Sequence, residues 1–515
     1  MSEQTQYRET RSVASILDEL GLDPTDDNGS RPTNALMGGA TETSVRASRS
    51  GRAIVVGAGV TGLATAWQLA AAGKQVLILE ATCRAGGMAT TFRYKDFLLD
   101  QGPHKFFSTM EDRMRMVEEI MGADFLTVPK RSRIRLTGHL LDYPVGLVDL
   151  VKNLSPLIAV SGGASYVWQL IRNLFDRTPD LSYEDWLVRR FGWRLYDLVF
   201  AAYARKIWGE PKTLARELAE TRIAVPGLLP LLFRMLFAPR RGPVIHAETF
   251  RFPQMGSGEF CRRLAELVIQ YGGQIQFGTP VTRVVQEHNR VSALNIGTGG
   301  SIPVGPEDVV ILTIPIGYLV RSLEPVPPSP VLQAVNGLRA RDLVLLYVIL
   351  DQPSVSDDNW LFFPESQYIF TRVSEQKNFS AMMCPADKTS LCLEIVADEA
   401  SWRASDAELY ERAIAGLEET GLVNRSRVLE YFTRRLKWVY PVYDIHYRQN
   451  AHTALDYLDS ISNLYSVGRQ GGFNYVGQID CLDIGVVTAE HILRQKGKDG
   501  WPAARQRFEQ YTVLD

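Results

Sequence analysis

Three glycines and one acid carry the first chemical signal in this sequence. Gly57, Gly59 and Gly62 stand in the spacing G-x-G-x-x-G, and Glu80 follows them. In such a spacing the first glycine permits a tight turn. The second lets backbone approach a pyrophosphate, and the third lets a helix pack closely on a strand. A helix that begins there offers free N–H groups and the positive end of its dipole to phosphate. An acid at the Glu80 position accepts hydrogen bonds from a ribose.

Chemistry of that kind needs strand, turn, helix and strand to hold it. Ala53 to Val56 is a short apolar run that suits a buried parallel strand. Leu63 to Ala72 is alanine-rich and predicts a helix, with Gly73 placed to end it. Val76 to Leu79 predicts a second buried strand, closed by Glu80. The complete unit predicts a bound dinucleotide; a plain strand–turn–helix is the alternative.

The rest of the composition sets bounds. The chain has 515 residues, enough for at least two domains. It is 45% hydrophobic and 22% charged, which excludes a disordered or fibrous class. A formal net charge of -2 implies no general attraction to nucleic acid. Five scattered cysteines (Cys83, Cys261, Cys384, Cys392, Cys481) fit free thiols in a reducing, cytoplasmic compartment. No CxxC or HExxH spacing occurs, so no metal site is expected. Met1 to Arg11 is polar and charged and does not read as a signal peptide.

After Glu80 the chain runs Ala-Thr-Cys-Arg-Ala-Gly-Gly-Met88. Here it resembles the flavoprotein group that contains protoporphyrinogen oxidase, amine oxidases, phytoene desaturases and UDP-galactopyranose mutase. The resemblance implies FAD, wrapped by Arg84, Gly86, Gly87 and Met88 after the ribose-binding acid. The paired glycines permit backbone to pass close to a flat cofactor. It also implies an α/β fold in which a Rossmann-like, glutathione-reductase-type FAD domain is interleaved with an α+β substrate domain. The expected FAD pieces are residues 51–130, 245–330 and 460–498, and the substrate domain takes 131–244 and 331–459. Residues 1–50 are expected to be a disordered leader, with a short amphipathic piece at Ser12 to Leu22, and 499–515 a peripheral tail. The pocket is expected at the domain junction.

Further matches name candidate residues. Asp100-Gln-Gly-Pro-His104-Lys-Phe106 is similar to a segment that runs under the flavin in the mutase branch. His104 would then hydrogen-bond the flavin or move a proton; a histidine that braces its loop is the alternative. Tyr203-Ala-Arg-Lys206-Ile-Trp208-Gly209 resembles a mutase substrate motif and implies a substrate contact for Trp208, against an aromatic core helix. Thr371-Arg372-Val-Ser-Glu375-Gln-Lys377 is similar to a mutase segment that sets Arg372 beside flavin and substrate, and Tyr440-Pro-Val-Tyr443 to one that contacts a diphosphate. The strand–turn–strand of Gln274 to Val285 resembles the oxidase branch, where the Val281 backbone would hold the adenine edge. Gly468-Arg469, followed by Asp480, Asp483 and a helix from Ile484, implies a second amide-and-dipole site with Gly468 and Arg469 at the flavin.

Other stretches predict structure alone. Ser182 and Asp185 predict a capped helix start. Arg133 to Val145 predicts a hairpin. Asn153 to Ile171 has no charge but is too broken by Pro156, Gly162 and Gly163 for a confident span. Gly227 to Phe237 is apolar and precedes Arg240 and Arg241, which reads as a core helix or as a peripheral membrane contact.

Three functions follow from the resemblance. The first is an FAD-dependent oxidoreductase that moves a hydride from a small-molecule substrate, apolar or nucleotide-sugar-like, to flavin N5. His104, Arg372 and Arg469 would supply charge or hydrogen bonds there. The second is a non-redox mutase that uses reduced FAD as a nucleophile on a sugar; the apolar stretch after Arg222-Ile223 argues against it. The third is a flavin-binding escort without a productive pocket.

Overall fold

The structure is a computed structural model that describes residues 17–19, 36–37, 51–143, 156–222, 248–297, 299–494 and 497–511. The Ile223 position, the Gly227 to Phe237 stretch with Arg240 and Arg241, the ends of the Ser12 to Leu22 piece, and Val145 lie outside the described residues. The chain divides into two units, 1–90 with 260–338 and 449–510, and 91–259 with 339–448 and 511–515. The stretch 91–130, grouped above with the FAD domain, therefore falls in the second unit.

In the first unit, Ala53–Val56 is wholly buried between Val76–Leu79 and Val309–Leu312. The three strands are parallel, with Val55 opposite Ile78 and Ile311. Burial on both faces explains why each reads as an unbroken apolar run. Gln274–Gln276 and Leu464–Ser466 extend the sheet in parallel. The helix Val60–Ala71 follows the glycine turn, and Gly73 ends it at a φ of 84°. It packs on Gln478–Leu493, where a Cβ on Gly485 would lie 2.7 Å from the Thr61 carbonyl oxygen. A smaller sheet is built from Val281–Glu287, Arg290–Ile296, Ser301–Pro303 and Leu323–Glu324.

Described residues at both chain ends take part in the first unit. Within the leader expected to be disordered, Leu36–Met37 pairs antiparallel with Gln274–Gln276, and Leu17 is buried. An open sheet edge presents unpaired N–H and C=O groups that such a segment satisfies. The segment 499–515 is not peripheral over its described part. Trp501 is fully buried beside Tyr465 and Phe508, and Arg505 is held by Asp456 and Asp459. The buried ring, not the polar residues around it, decides where that segment goes.

The second unit is built on a seven-stranded sheet in the order 428–442, 339–350, 389–396, 372–375, 360–362, 132–136, 139–142. All neighbours are antiparallel except Trp360–Phe362 beside Ser132–Leu136. The predicted hairpin is present, turning through Thr137 and Gly138, both at positive φ. The region 331–455 reads as strand-rich, yet it also holds the helix Asp406–Glu419. That helix buries Leu409, Ala413, Ile414 and Leu417 against Leu346, Val348, Leu393 and Ile395 of the sheet. Ser182 and Asp185 form the expected capping box on Tyr183–Phe191.

Candidate functional site

Within the first unit three loops converge on the N-terminus of the helix Val60–Ala71. Gly59 is its N-cap and has no side chain to satisfy the first-turn N–H groups. A Cβ on Gly62 would lie 2.1 Å from the Gly57 carbonyl oxygen, so only glycine lets helix and turn approach this closely. A Cβ on Gly59 meets no atom within 4 Å. The turn is thus closed on the protein side and open where a phosphate would lie.

Glu80 locks this turn. One carboxylate oxygen accepts from the Ala58 N–H at 2.7 Å, and the other accepts from the Thr82 N–H and hydroxyl at 2.9 and 2.8 Å. The second loop, 84–88, runs against the first. The Gly86 N–H donates to the Ala58 carbonyl at 2.8 Å, and a Cβ on Gly87 would sit 3.4 Å from the Gly59 Cα. The paired glycines let this loop reach the glycine turn itself. The Arg84 carbonyl lies 2.9 Å from the Thr82 hydroxyl oxygen.

The third loop brings Gly468, whose Cβ would lie 3.0 Å from the Thr61 hydroxyl. Gln470 donates to the Met88 sulfur at 3.3 Å. Arg469 donates to the Val476 carbonyl at 2.6 Å and lies over the Tyr475 ring, which closes its own loop. The Val281 carbonyl accepts from the Tyr318 hydroxyl. Its turn sits against the acid, since the Thr279 N–H donates to the Glu80 carbonyl at 2.8 Å.

The helix expected from Ile484 begins earlier, at Gln478, because Asp480 accepts from the Gly477 N–H at 2.8 Å and caps it. Burial pushes the Asp480 carboxyl up to about 6, against that hydrogen bond. Gln478 was missed in the sequence. It is 8% exposed, and both amide atoms are buried with no hydrogen-bond partner. A buried orphan amide is costly unless a ligand completes it. Its donor and acceptor together suit a flat ring with adjacent acceptor and donor atoms, such as the pyrimidine edge of a flavin. The cradle therefore fits FAD.

In the second unit Arg372 is paired with Glu394 at 2.6 Å. The Tyr440 hydroxyl donates to the other Glu394 oxygen at 3.1 Å and lies 3.3 Å from the guanidinium. Burial alone would lower the Arg372 pKa, but Glu394, Tyr440 and Tyr203 outweigh it and hold the group firmly protonated. The carboxylate offsets the Arg372 charge, so the pair is nearly neutral overall. A Cβ on Gly102 would lie 3.8 Å from the Glu394 carboxylate. His104 contacts the Gly102 carbonyl through Nδ1 at 3.0 Å, which makes Nδ1 the donor. Glu394 was also missed, although a single acid in Leu391-Cys-Leu-Glu-Ile-Val396 signals a buried charge that needs a partner.

Trp208 is buried, with Tyr183 and Tyr203 beside it, and its carbonyl accepts from Arg341 at 2.6 Å. The lysines of the two mutase-like motifs hold backbone. Lys206 donates to the carbonyls of Phe363, Glu365 and Phe370. Lys377 donates to those of Pro353, Pro385, Ala386 and Lys388. Glu375 accepts from the Val355 and Ser356 N–H groups and the Thr389 hydroxyl.

Fold and cradle define a class, the dinucleotide-binding flavoproteins. The family model described as "Flavin containing amine oxidoreductase" matches residues 60–458, and the chain belongs to that family of FAD-dependent oxidoreductases. Hydroxysqualene dehydroxylase of Rhodopseudomonas palustris is 26% identical over 302 residues, 55% of this chain and 64% of that protein. Coproporphyrinogen III oxidase of Propionibacterium freudenreichii is 35% identical over 97 residues, 18% of each chain. The chain thus spans less than two thirds of the length of either relative. Among solved structures, a reduced UDP-galactopyranose mutase has a TM-score of 0.76 at 22% identity, covering 90% of this chain and 100% of that one. A putative protoporphyrinogen oxidase from Exiguobacterium has a TM-score of 0.67 at 20% identity, covering 87% and 99%. These likenesses are of fold.

Proposed function

We propose that the chain is an oxidoreductase that takes a hydride from an organic small molecule onto FAD held in the three-loop cradle. The observation that carries this is the orphaned Gln478 amide, together with a glycine turn that is open at Gly59. Bound FAD supplies a two-electron acceptor for a C–H next to nitrogen, oxygen or an allylic carbon. The N-terminus of Val60–Ala71 takes the pyrophosphate, and Glu80 keeps lone pairs for ribose hydroxyls. Arg84, Gly86, Gly87, Met88, Gly468 and the Val281 backbone are assigned to the cofactor. His104 is assigned to hydrogen-bond the flavin or to move a proton of the substrate. Arg372, fixed by Glu394, orients a polar group of the substrate, and the Trp208 ring packs on its apolar part.

The two curated relatives act, by their names, on hydroxysqualene and coproporphyrinogen III. We extend from them only the class, an organic small molecule. Two observations weigh against a sugar-nucleotide mutase. The motif lysines are spent on backbone carbonyls, and the Arg372 charge is neutralised, which weakens any hold on a diphosphate.

The test is a spectrum of the purified protein through anaerobic dithionite reduction, then mixing of the oxidised protein with amines, porphyrinogens and polyenes. Bleaching of the flavin by one class is the expected result. Absence of flavin after FAD is added back overturns the reading. So does conversion of UDP-galactopyranose by the reduced protein with no bleaching by any of the three classes.

A further inference from the structure

The helix Pro156–Phe175 is laid on the second unit the wrong way round. Its inward face carries Gly162, Tyr166 and Gln169, with Ser165 and Asn173 partly covered. These polar groups are satisfied within the fold. Gln169 donates to Asn173, Asn173 to the Arg189 carbonyl at 2.9 Å, and the Arg194 N–H to the Ser165 hydroxyl at 3.2 Å. The outward face carries Leu157, Val160, Val167, Trp168, Ile171 and Leu174, between 47% and 82% exposed, and Phe175 ends it at 83%. At 100° per residue these positions fill one continuous arc about a third of the circumference wide. A helix on a water-exposed surface normally shows the reverse arrangement.

We infer that this face is a docking surface for an anionic lipid bilayer. The helix has no acidic residue, and its one charge, Arg172, lies at the edge of the apolar arc. Arg177, just past its end, and Arg194, on the adjoining turn Trp193–Leu195, are exposed and form no ion pair among the described residues. Exposed Trp168 and Trp193 add rings of the kind that settle at headgroup depth. A second copy of this chain laid on the same face would bring the same cations, whereas anionic headgroups complement them. No helix among the described residues is long and apolar enough to cross a membrane, so this one lies in the interface plane, about 30 Å long. The inference goes beyond the proposed function and does not depend on it.

The experiment is flotation of the full-length, FAD-supplemented protein with phosphatidylcholine–phosphatidylglycerol vesicles, with phosphatidylcholine vesicles and with none. The wild type is expected to float with the anionic vesicles, and weakly with the neutral ones. Val167→Glu with Leu174→Glu should reduce the floating fraction by about tenfold or more. Arg177→Glu with Arg194→Glu should reduce it on anionic vesicles only. Unchanged melting temperature and flavin absorbance show that each variant folds, since all four side chains are exposed. The inference is overturned if the wild type stays in the bottom fraction with anionic vesicles, or if the Val167/Leu174 variant floats equally well. It is also overturned if light scattering shows a dimer that this variant dissociates, which would make the occupant a second copy.

Discussion

The backbone N–H of Ala58 donates to the carboxylate of Glu80 at 2.7 Å, across 22 residues of sequence. Ala58 lies inside the glycine turn, so one bond ties the turn proposed for the pyrophosphate to the acid proposed for the ribose. Glu80→Ala leaves the Ala58 and Thr82 N–H groups without their acceptor. We expect a loss of about 2 kcal/mol in the stability of the apoprotein, read by denaturant unfolding. FAD affinity should fall about tenfold or more, read by fluorescence titration. A variant that loses affinity with no loss of apo stability would show that the Ala58 bond is not structural.

Gly59 and Gly62 differ in what surrounds them, and alanine should separate them. Gly62→Ala forces a Cβ against the Gly57 carbonyl and should destabilise the apoprotein by about 2 kcal/mol. At Gly59 φ is -76° and the Cβ meets no protein atom. Gly59→Ala should therefore leave apo stability unchanged or raise it by up to about 1 kcal/mol, while FAD binding is lost. Paired melting curves and flavin absorbance decide it.

Gln478→Leu should have opposite effects on the two states. Removing a buried, unsatisfied amide should raise apo stability by about 1 kcal/mol. The same change should weaken FAD binding and shift the reduction potential of the bound flavin, measured by spectroelectrochemistry. An unchanged potential would place Gln478 away from the ring.

Glu394→Ala strands the buried Arg372 cation and should cost about 3–5 kcal/mol. Arg372→Met combined with Glu394→Ala should recover most of that loss, which a double-mutant cycle in urea would measure. Additive losses would mean that the two residues do not act as a pair.

Asp480 gives a pH signature. Its carboxyl is raised from 3.8 to about 6 in the fold, chiefly by burial. Its contribution is fully present below the unfolded pKa and is lost as pH rises through about 6. Relative to Asp480→Asn, the wild type should gain about 1 kcal/mol between pH 7 and pH 5. Parallel curves for the two proteins would rule this out.

The sequence by itself determined the dinucleotide unit, because every constraint there is local. Gly57, Gly59 and Gly62 sit within one turn, and the flanking strands are buried on both faces, so their apolar runs survive any context. The capping box at Ser182 and the Thr137–Gly138 hairpin turn were legible for the same reason. What needed the tertiary structure is whatever depends on partners far along the chain. Arg372 is legible as a motif arginine, but its partner Glu394 is known only once the two are placed opposite each other on neighbouring strands. Lys206 and Lys377 are only letters of two motifs in the sequence, and the carbonyls they hold come from distant residues. Gln478 lies before the helix start that the sequence suggests, and its buried amide with nothing to bond shows only in the fold. The helix Pro156–Phe175 has an apolar arc in any register, and only its packing shows that the arc faces outward. Backbone conformation and strand burial are written in neighbouring residues, whereas charge pairing and the side a helix turns to solvent are decided by what the fold brings against it.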